Sequence, residues 1–187
     1  MDEPLLLTAV IPVTKMAGKL EKFQKVISQC RQSGVKLVVV HDVRDTETGI
    51  ELQNLLKTHG PKDAIYLQGH YGSAGLARNA GLESCATKWV CFWDSDDYIY
   101  VNNFLNMITK ADTEKSDIAI GLLSIHSSQN NRKISSSEKL QSNNTLDLQI
   151  SNFPAFTRMG FRTKNISKDP FPNIPMGEDL IFLLRQE

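Results

Sequence analysis

The sequence predicts an α/β protein with a mostly parallel central sheet and helices on both faces. Three observations carry that expectation. Short apolar runs of strand length alternate with segments whose apolar residues recur at helical spacing. The connections are long enough for crossovers, which parallel strands require. The runs Leu37–Val40, within the strand-like stretch Val35–Val40, and Trp89–Trp93 are apolar without alternation, the mark of strands covered on both faces.

Taken in order, Leu5–Val13 reads as the first strand, stopped by Pro12 and the polar Thr14-Lys15. Gly18–Gln32 places Leu20, Phe23, Val26, Ile27 and Cys30 on one helical face, and Gly34 suits the C-terminal cap. Val35–Val40 is a second strand ending at His41-Asp42. Thr46–His59 is a helix with Ile50, Leu52, Leu55 and Leu56 expected inward, closed by Gly60-Pro61. Ala64–Leu67 is a short third strand. A glycine-bearing loop, Gly69–Gly75, leads into a helix over Leu76–Cys85. Trp89–Trp93 is the central strand, running straight into Asp94, Asp96 and Asp97. Val101–Lys110 reads as a helix and Ile118–Ile125 as a strand. Ser127–Thr145, rich in Ser, Asn and Gln, is expected as a flexible insertion. Apolar character returns at Phe153–Phe156 and Gly160–Phe161. A proline-stiffened stretch, Asp169–Pro175, precedes Met176-Gly-Glu-Asp and a final helix over Leu180–Arg185. The whole reads as one domain, 1–187, cut short at its C-terminus, because that helix is still apolar and lacks a capping signal.

Composition narrows the function. Lys+Arg and Asp+Glu are both 21, so the chain lacks the basic excess that non-specific nucleic-acid binding or an electrostatic membrane anchor needs. Cys30, Cys85 and Cys91 are far apart and mostly within apolar patterns; they read as reduced core thiols. The N-terminal apolar run has acids ahead of it and no basic region, and it is too short to span a bilayer. A cytoplasmic protein without a transmembrane segment is expected, with peripheral membrane association left open.

Four stretches carry candidate chemistry. Asp94, Asp96 and Asp97 lie at the carboxyl end of a buried strand, where open α/β sheets bind ligands. Three acids this close suit a hard divalent cation such as Mg²⁺ or Mn²⁺; a solvated turn is the plainer reading. Gly72–Cys85 joins a glycine loop to a helix start, a place for phosphate, with Arg78 as a fixed cation that can pair with phosphate or with a sheet carboxylate, and Asn79 to cap or hold the loop. Glycines serving close helix packing explain the same pattern. Asp42 can accept hydrogen bonds from a ribose or base, or simply form a turn. Glu178 and Asp179 can supply a general base, or merely suit the first turn of a helix. His41 reads as structural or rim, and Trp93 as core.

The order AVIPV, VVVHD, GLARNAGL, CFWDSDDYI and GEDLIF resembles the inverting family 2 glycosyltransferases of the GT-A fold. The match runs from Thr8 to Phe182, and the pairing of GLARNAGL with FWDSDD is its specific part. The resemblance implies the GT-A fold and transfer of a sugar from a nucleotide-diphosphate sugar, expected to be a UDP-sugar, to a saccharide or other hydroxyl acceptor. It implies that Pro12 and Val13 lie beside the nucleotide, that Asp42 meets the base, and that Arg78 lies near the phosphates. Asp94 and Asp96 match the Asp-x-Asp that binds the ribose and Mn²⁺ or Mg²⁺, with Asp97 sharing that work. Asp179 matches the catalytic base, with Glu178 beside it on the substrate side. By association, the resemblance also points to polysaccharide assembly. Thr14-Lys15 and Asp42-Val43-Arg44 depart from the family pattern, which has an aromatic residue and Asn, and Asp-Gly-Ser. The competing readings are a nucleotidyltransferase of related architecture and a non-catalytic nucleotide-sugar-binding module. The first would place a basic glycine-rich loop at Thr14–Gly18, which the sequence lacks; the second would have lost the acids.

Overall fold

The sheet is built outward from Leu7–Val13 (β1). The computed structural model describes residues 5–16, 20–43, 46–126, 133–136 and 155–185. β1 pairs in parallel with Lys36–Asp42 (β2) on one side and Trp89–Phe92 (β4) on the other. Ile65–Gly69 (β3) lies in parallel beyond β2. The order across the sheet is β3-β2-β1-β4, then Met159–Arg162 (β8), then Ile118–Ile120 (β5). The last two pairings, β4 with β8 and β8 with β5, are antiparallel. Ser124–His126 (β6) and Lys133–Ser136 (β7) form a separate two-stranded ribbon.

Alternate residues of the buried strands feed two cores, as a pleated sheet covered on both faces requires. Ala9, Ile11, Val39, Cys91 and Trp93 face Leu20–Ser33 (α1), Thr46–His59 (α2) and Val101–Thr113 (α4). On the opposite face Val10, Val38, Val40, Val90 and Phe92 meet Ala74–Leu82 (α3), Glu178–Leu184 (α5) and an aromatic cluster. Phe92 is its hub, with Phe171 edge-on at 4.9 Å and Phe182 at 5.6 Å between ring centres. α3 lies so close to the sheet that a β-carbon on Gly81 would sit 2.4 Å from Val10 Cγ1. Glycine there serves packing, one of the two readings its sequence left open.

Most expected elements form, within a few residues of the expected ends. Gly34 takes φ +68 after α1, as a C-terminal cap does. Cys30 and Cys91 are buried free thiols and Cys85 is half-buried. Several expectations need correction. β1 ends at Val13 as expected, with Pro12 inside it, but begins at Leu7 and not at Leu5. Ile50 is 68 % exposed. The inward stripe of α2 is set by Thr48, Leu52 and Leu56 at four-residue spacing, and Ile50 lies opposite. The strand expected over Ile118–Ile125 divides at Gly121, whose N–H donates to the Arg158 carbonyl at 2.9 Å; only its first part joins the main sheet. β8 is a strand that the sequence pattern does not announce. It is four residues long with Gly160 inside, a residue disfavoured in strands, and its partners Cys91 and Ala119 are distant in sequence. The sheet is therefore parallel over four strands and antiparallel at one side. Of the insertion expected over 127–145, only β7 is described; the rest lies outside the described residues. Among the described residues, no helix is long and apolar enough to cross a membrane.

Candidate active site

The strand order reverses between β1 and β4: the chain leaves β1 toward β2 and β3, then returns to β4 on the other flank. Open α/β sheets bind ligands at the carboxyl edge of such a switch point. Here the local chemistry opens the crevice further. Trp89 and Trp93 donate their N–H groups to the carbonyls of Leu6 and Val10, so even-numbered residues of β1 bond toward β4. Pro12 is the next in that series and has no N–H to offer. The β1–β4 register ends at Val10 and Phe92, and Asp94 lies just past that point. Pro12 is half-buried at this edge, while the Val13 side chain is 2 % exposed and packs in the core below. Any contact from Val13 to a ligand would come from its backbone.

Arg78 sits at the centre of the site. Its Nη2 donates to Asp94 Oδ1 and its Nη1 to Glu178 Oε1, both at 2.7 Å. The residue is 3 % exposed. Its guanidinium lies 4.7 Å from the Phe156 ring centre and 5.6 Å from that of Phe171. These contacts bring the acid cluster after β4 and the acidic start of α5 to one place. Both of its terminal nitrogens are committed to carboxylates, in the position where the family resemblance implied phosphates.

The rest of α3 supports this arrangement. Ser73 caps it, accepting from the Leu76 N–H at 3.3 Å. Asn79, the residue after Arg78, makes two bonds to the backbone of Phe171: Nδ2 donates to the carbonyl at 2.8 Å and Oδ1 accepts from the N–H at 3.0 Å. Gly75, one turn earlier, lets the proline-stiffened stretch and Glu178 come close. α5 itself starts after Gly177, held at φ +84, where glycine is favoured.

The carboxylates interact strongly. Burial pushes the Asp94 carboxyl up, Arg78 pulls it down, and Asp96 and Asp179 push it up again. The influence of Asp179 on Asp94 puts the second acid of α5 within electrostatic reach of the cluster. Asp97 is pushed up to about 6, first by burial and then by Asp94 and Asp96; Thr157, which hydrogen-bonds it, and Lys22 work the other way. Asp97 N–H donates to the Asp94 carbonyl at 3.2 Å, closing a turn that gathers the three acids. Asp179 Oδ1 accepts from the Leu180 N–H of its own helix at 2.9 Å.

Asp42 ends β2 on the same edge. Its two carboxylate oxygens accept from the Tyr71 and Gly72 N–H groups, each at 3.2 Å. It is therefore oriented by the loop before α3. His41 is buried and bonds through Nδ1 to the Tyr66 hydroxyl at 2.8 Å, and Trp93 is buried and packs edge-on against Phe104.

The donor set fits a hard divalent cation. Among the described residues, Asp94 Oδ2 has no hydrogen-bond partner, and Asp96 is exposed beside it. No group of three His, Cys, Asp or Glu side chains among the described residues forms a ready cage. Mg²⁺ is typically held by one or two carboxylates with the remaining oxygens from phosphates and water, which this geometry can supply. Sequence reasoning brought Asp42, Arg78, the three acids, Glu178 and Asp179 to one edge. It missed Thr157, which reaches the site from a turn with no motif of its own, and Phe171, which lies in the proline-stiffened stretch.

Comparison with known sequences decides the family. The profile described as Glycosyl transferase family 2 matches residues 8–184. The chain belongs to that family. This family 2 chain is 23 % identical over 119 residues to YibD of Escherichia coli, an uncharacterized glycosyltransferase, and 26 % identical over 117 residues to glycosyltransferase GlyA of Streptococcus pneumoniae. Those alignments take in 64 % and 62 % of the chain but only 34 % and 16 % of the relatives, so it spans about a third or less of their length. Among solved structures it is similar to TarS 1–349 of Staphylococcus aureus. The TM-score is 0.72 at 20 % identity, covering 97 % of this chain and 55 % of that one. The same TarS fragment in complex with UDP-GlcNAc gives 0.69 at 21 %, covering 96 % and 52 %. At this identity the likeness speaks for the fold, which is the GT-A fold that the sequence motifs imply.

Proposed function

We propose that this chain transfers a sugar from a nucleoside diphosphate sugar, of the UDP class, to an acceptor hydroxyl with inversion. The observation that carries this reading is the double ion pair of Arg78. It holds a donor-type carboxylate, Asp94, and the acidic start of α5 at one mouth beside the β1–β4 switch point. A structure of the TarS fragment solved with UDP-GlcNAc supports the choice of donor class.

In this reading Asp42, oriented by two backbone amides, receives the base, and the backbone at Pro12 and Val13 borders it. Asp94 and Asp96 would hold the ribose and a Mn²⁺ or Mg²⁺ ion, with Asp97 behind them; such a cation would supply charge to offset that developing on the diphosphate leaving group. Asp179 lies at the start of α5, near the acids but outside the Arg78 ion pairs. It takes the proton of the acceptor hydroxyl while that oxygen attacks the anomeric carbon from the face opposite the diphosphate. One bond forms as one breaks, which inverts the centre. The acceptor is a saccharide or another hydroxyl compound, and a cytoplasmic site of action fits the nucleotide-sugar donor.

The deciding experiment is calorimetric titration of UDP, with and without Mn²⁺, into wild type and Asp96→Ala. Metal-dependent binding that Asp96→Ala abolishes is the expected result. Silence of UDP, GDP, CDP and dTDP in every condition would overturn the donor site. Asp179→Asn should then retain UDP binding and lose about 10²–10⁴-fold in transfer rate, the usual worth of a general base.

A further inference from the structure

We propose that Arg78 is a positioning residue, a strut that sets the distance between the donor carboxylates and the base-bearing helix α5, and that it is not a ligand of the diphosphate. The inference rests on the function proposed above for the roles of Asp94 and Asp179. Both terminal nitrogens already point at carboxylates, one from each side, at 2.7 Å. The side chain is 4 % exposed and lies against Phe156 and Phe171; of its three guanidinium nitrogens, only Nε lacks a hydrogen-bond partner among the described residues. Arginine suits a strut because its rigid planar fork spans two acceptors at once and keeps its charge at any working pH. A lysine ammonium, a single point charge, would serve either acid well but not both in the same geometry.

The surroundings are arranged to transmit position. α3 is seated on the sheet through Gly81 against Val10, so Arg78 projects from a fixed platform. Asn79 fastens the Phe171 backbone, and Gly75 admits Glu178. α5 is seven residues long and has no side-chain cap at its start. The ion pair of Glu178 with Arg78 is thus a principal polar tie between this short helix and the donor edge. Asp179, the next residue, takes its place from that tie together with the burial of Phe182 and Leu183 in the core. Donor binding at Asp94 and proton removal at Asp179 are thereby mechanically linked, although Arg78 touches neither reacting atom.

The test uses Glu178→Gln, Arg78→Lys and the double variant, with UDP·Mn²⁺ affinity by calorimetry and UDP release from UDP-GlcNAc as turnover. Glu178→Gln should leave the UDP·Mn²⁺ Kd within about twofold and lower kcat at least about tenfold. Arg78→Lys should do both, weakening UDP·Mn²⁺ and lowering kcat. If the pair acts as a unit, the double variant should turn over no more slowly than Arg78→Lys alone. Multiplicative losses in the double variant would overturn the strut. So would an Arg78→Lys protein that loses metal-free UDP affinity but not uridine affinity, the signature of a phosphate ligand. Amide exchange over Asp179–Leu184 gives a readout that needs no turnover. It should quicken at least about tenfold in Glu178→Gln while β1 and β2 stay protected, and unchanged exchange would also overturn the proposal. A wild type that binds no nucleotide would refute the donor reading alone, since exchange still decides the strut. Should Arg78→Lys fail to fold, Glu178→Gln carries the test by itself.

Discussion

A β-carbon placed on Gly75 would lie 3.1 Å from Cγ of Glu178, in addition to 3.0 Å from the Pro172 carbonyl oxygen and 3.2 Å from Phe171 Cβ. The two residues belong to helices α3 and α5, and the glycine is what lets the acidic helix start approach Arg78. Gly75→Ala gains less than the roughly 1 kcal/mol of helix propensity that an interior site would give, because Gly75 is in the first turn of α3. It loses about 1–3 kcal/mol to overpacking against backbone that cannot easily yield. We expect a small net destabilisation in urea unfolding. Turnover should fall by a larger factor than UDP affinity, because the displaced group is the start of α5.

Asn79 holds Phe171 by two hydrogen bonds in a buried setting. Asn79→Ala leaves the Phe171 N–H and carbonyl without these partners, and each such group costs about 1–3 kcal/mol. A loss of about 2–4 kcal/mol is expected, read from the denaturation midpoint at constant slope. Asn79→Asp restores the acceptor but not the donor, so it should recover part of the loss at most. Full stability in both variants would show that the clamp is idle.

Asp97 gives the cation-free protein a pH dependence with a definite sign. Its folded-state pKa, pushed up to about 6, lies above the usual carboxyl value. Between those values the folded state binds more protons than the unfolded one. The Asp97 contribution to stability without metal should therefore be fully present below about pH 4, fall as pH rises toward about 6, and level off above. Asp97→Asn should flatten that slope. Mn²⁺ should oppose it, since cation and proton compete for the same cluster. Thermal unfolding from pH 4 to 7, with and without Mn²⁺, reads all three.

The thiols should be inert in the native state. Burial pushes Cys30 up to about 12 and Cys85 up to about 11, and Cys91 is raised well above its ordinary value by burial first. Since only the thiolate reacts, maleimide at pH 7.5 should label the folded protein far more slowly than the urea-unfolded chain. Half-buried Cys85 should lead in the native state. Rapid native labelling of Cys30 or Cys91 would contradict the packing of α1 and β4.

Legibility followed how local the governing forces are. The sequence pattern places α2 over Thr46–His59, and those are its ends. The parallel half of the sheet is legible from unbroken apolar runs, because burial on both faces leaves no polar alternation. β8 is not, since four residues containing a glycine carry no period that a reader can detect. Ile50 misleads because local periodicity tolerates more than one helical phase; only packing against the sheet chose the stripe of Thr48, Leu52 and Leu56.

The site divides the same way. The sequence by itself determined the chemical inventory. It supplied three acids at the end of a buried strand, a cation in the helix before it, an acid closing β2, and an acidic pair opening the last helix. Those follow from residue identity and from short-range rules about strand ends and helix starts. Only the tertiary structure decided who meets whom. It turned Arg78 toward Asp94 and Glu178, gave Asp42 the amides of Tyr71 and Gly72, and brought Thr157 to Asp97. Arg78 and Glu178 are 100 residues apart. Contacts at such separation depend on how whole helices seat against the sheet, and that seating is set by many packed side chains together, not by either residue's neighbours in the chain.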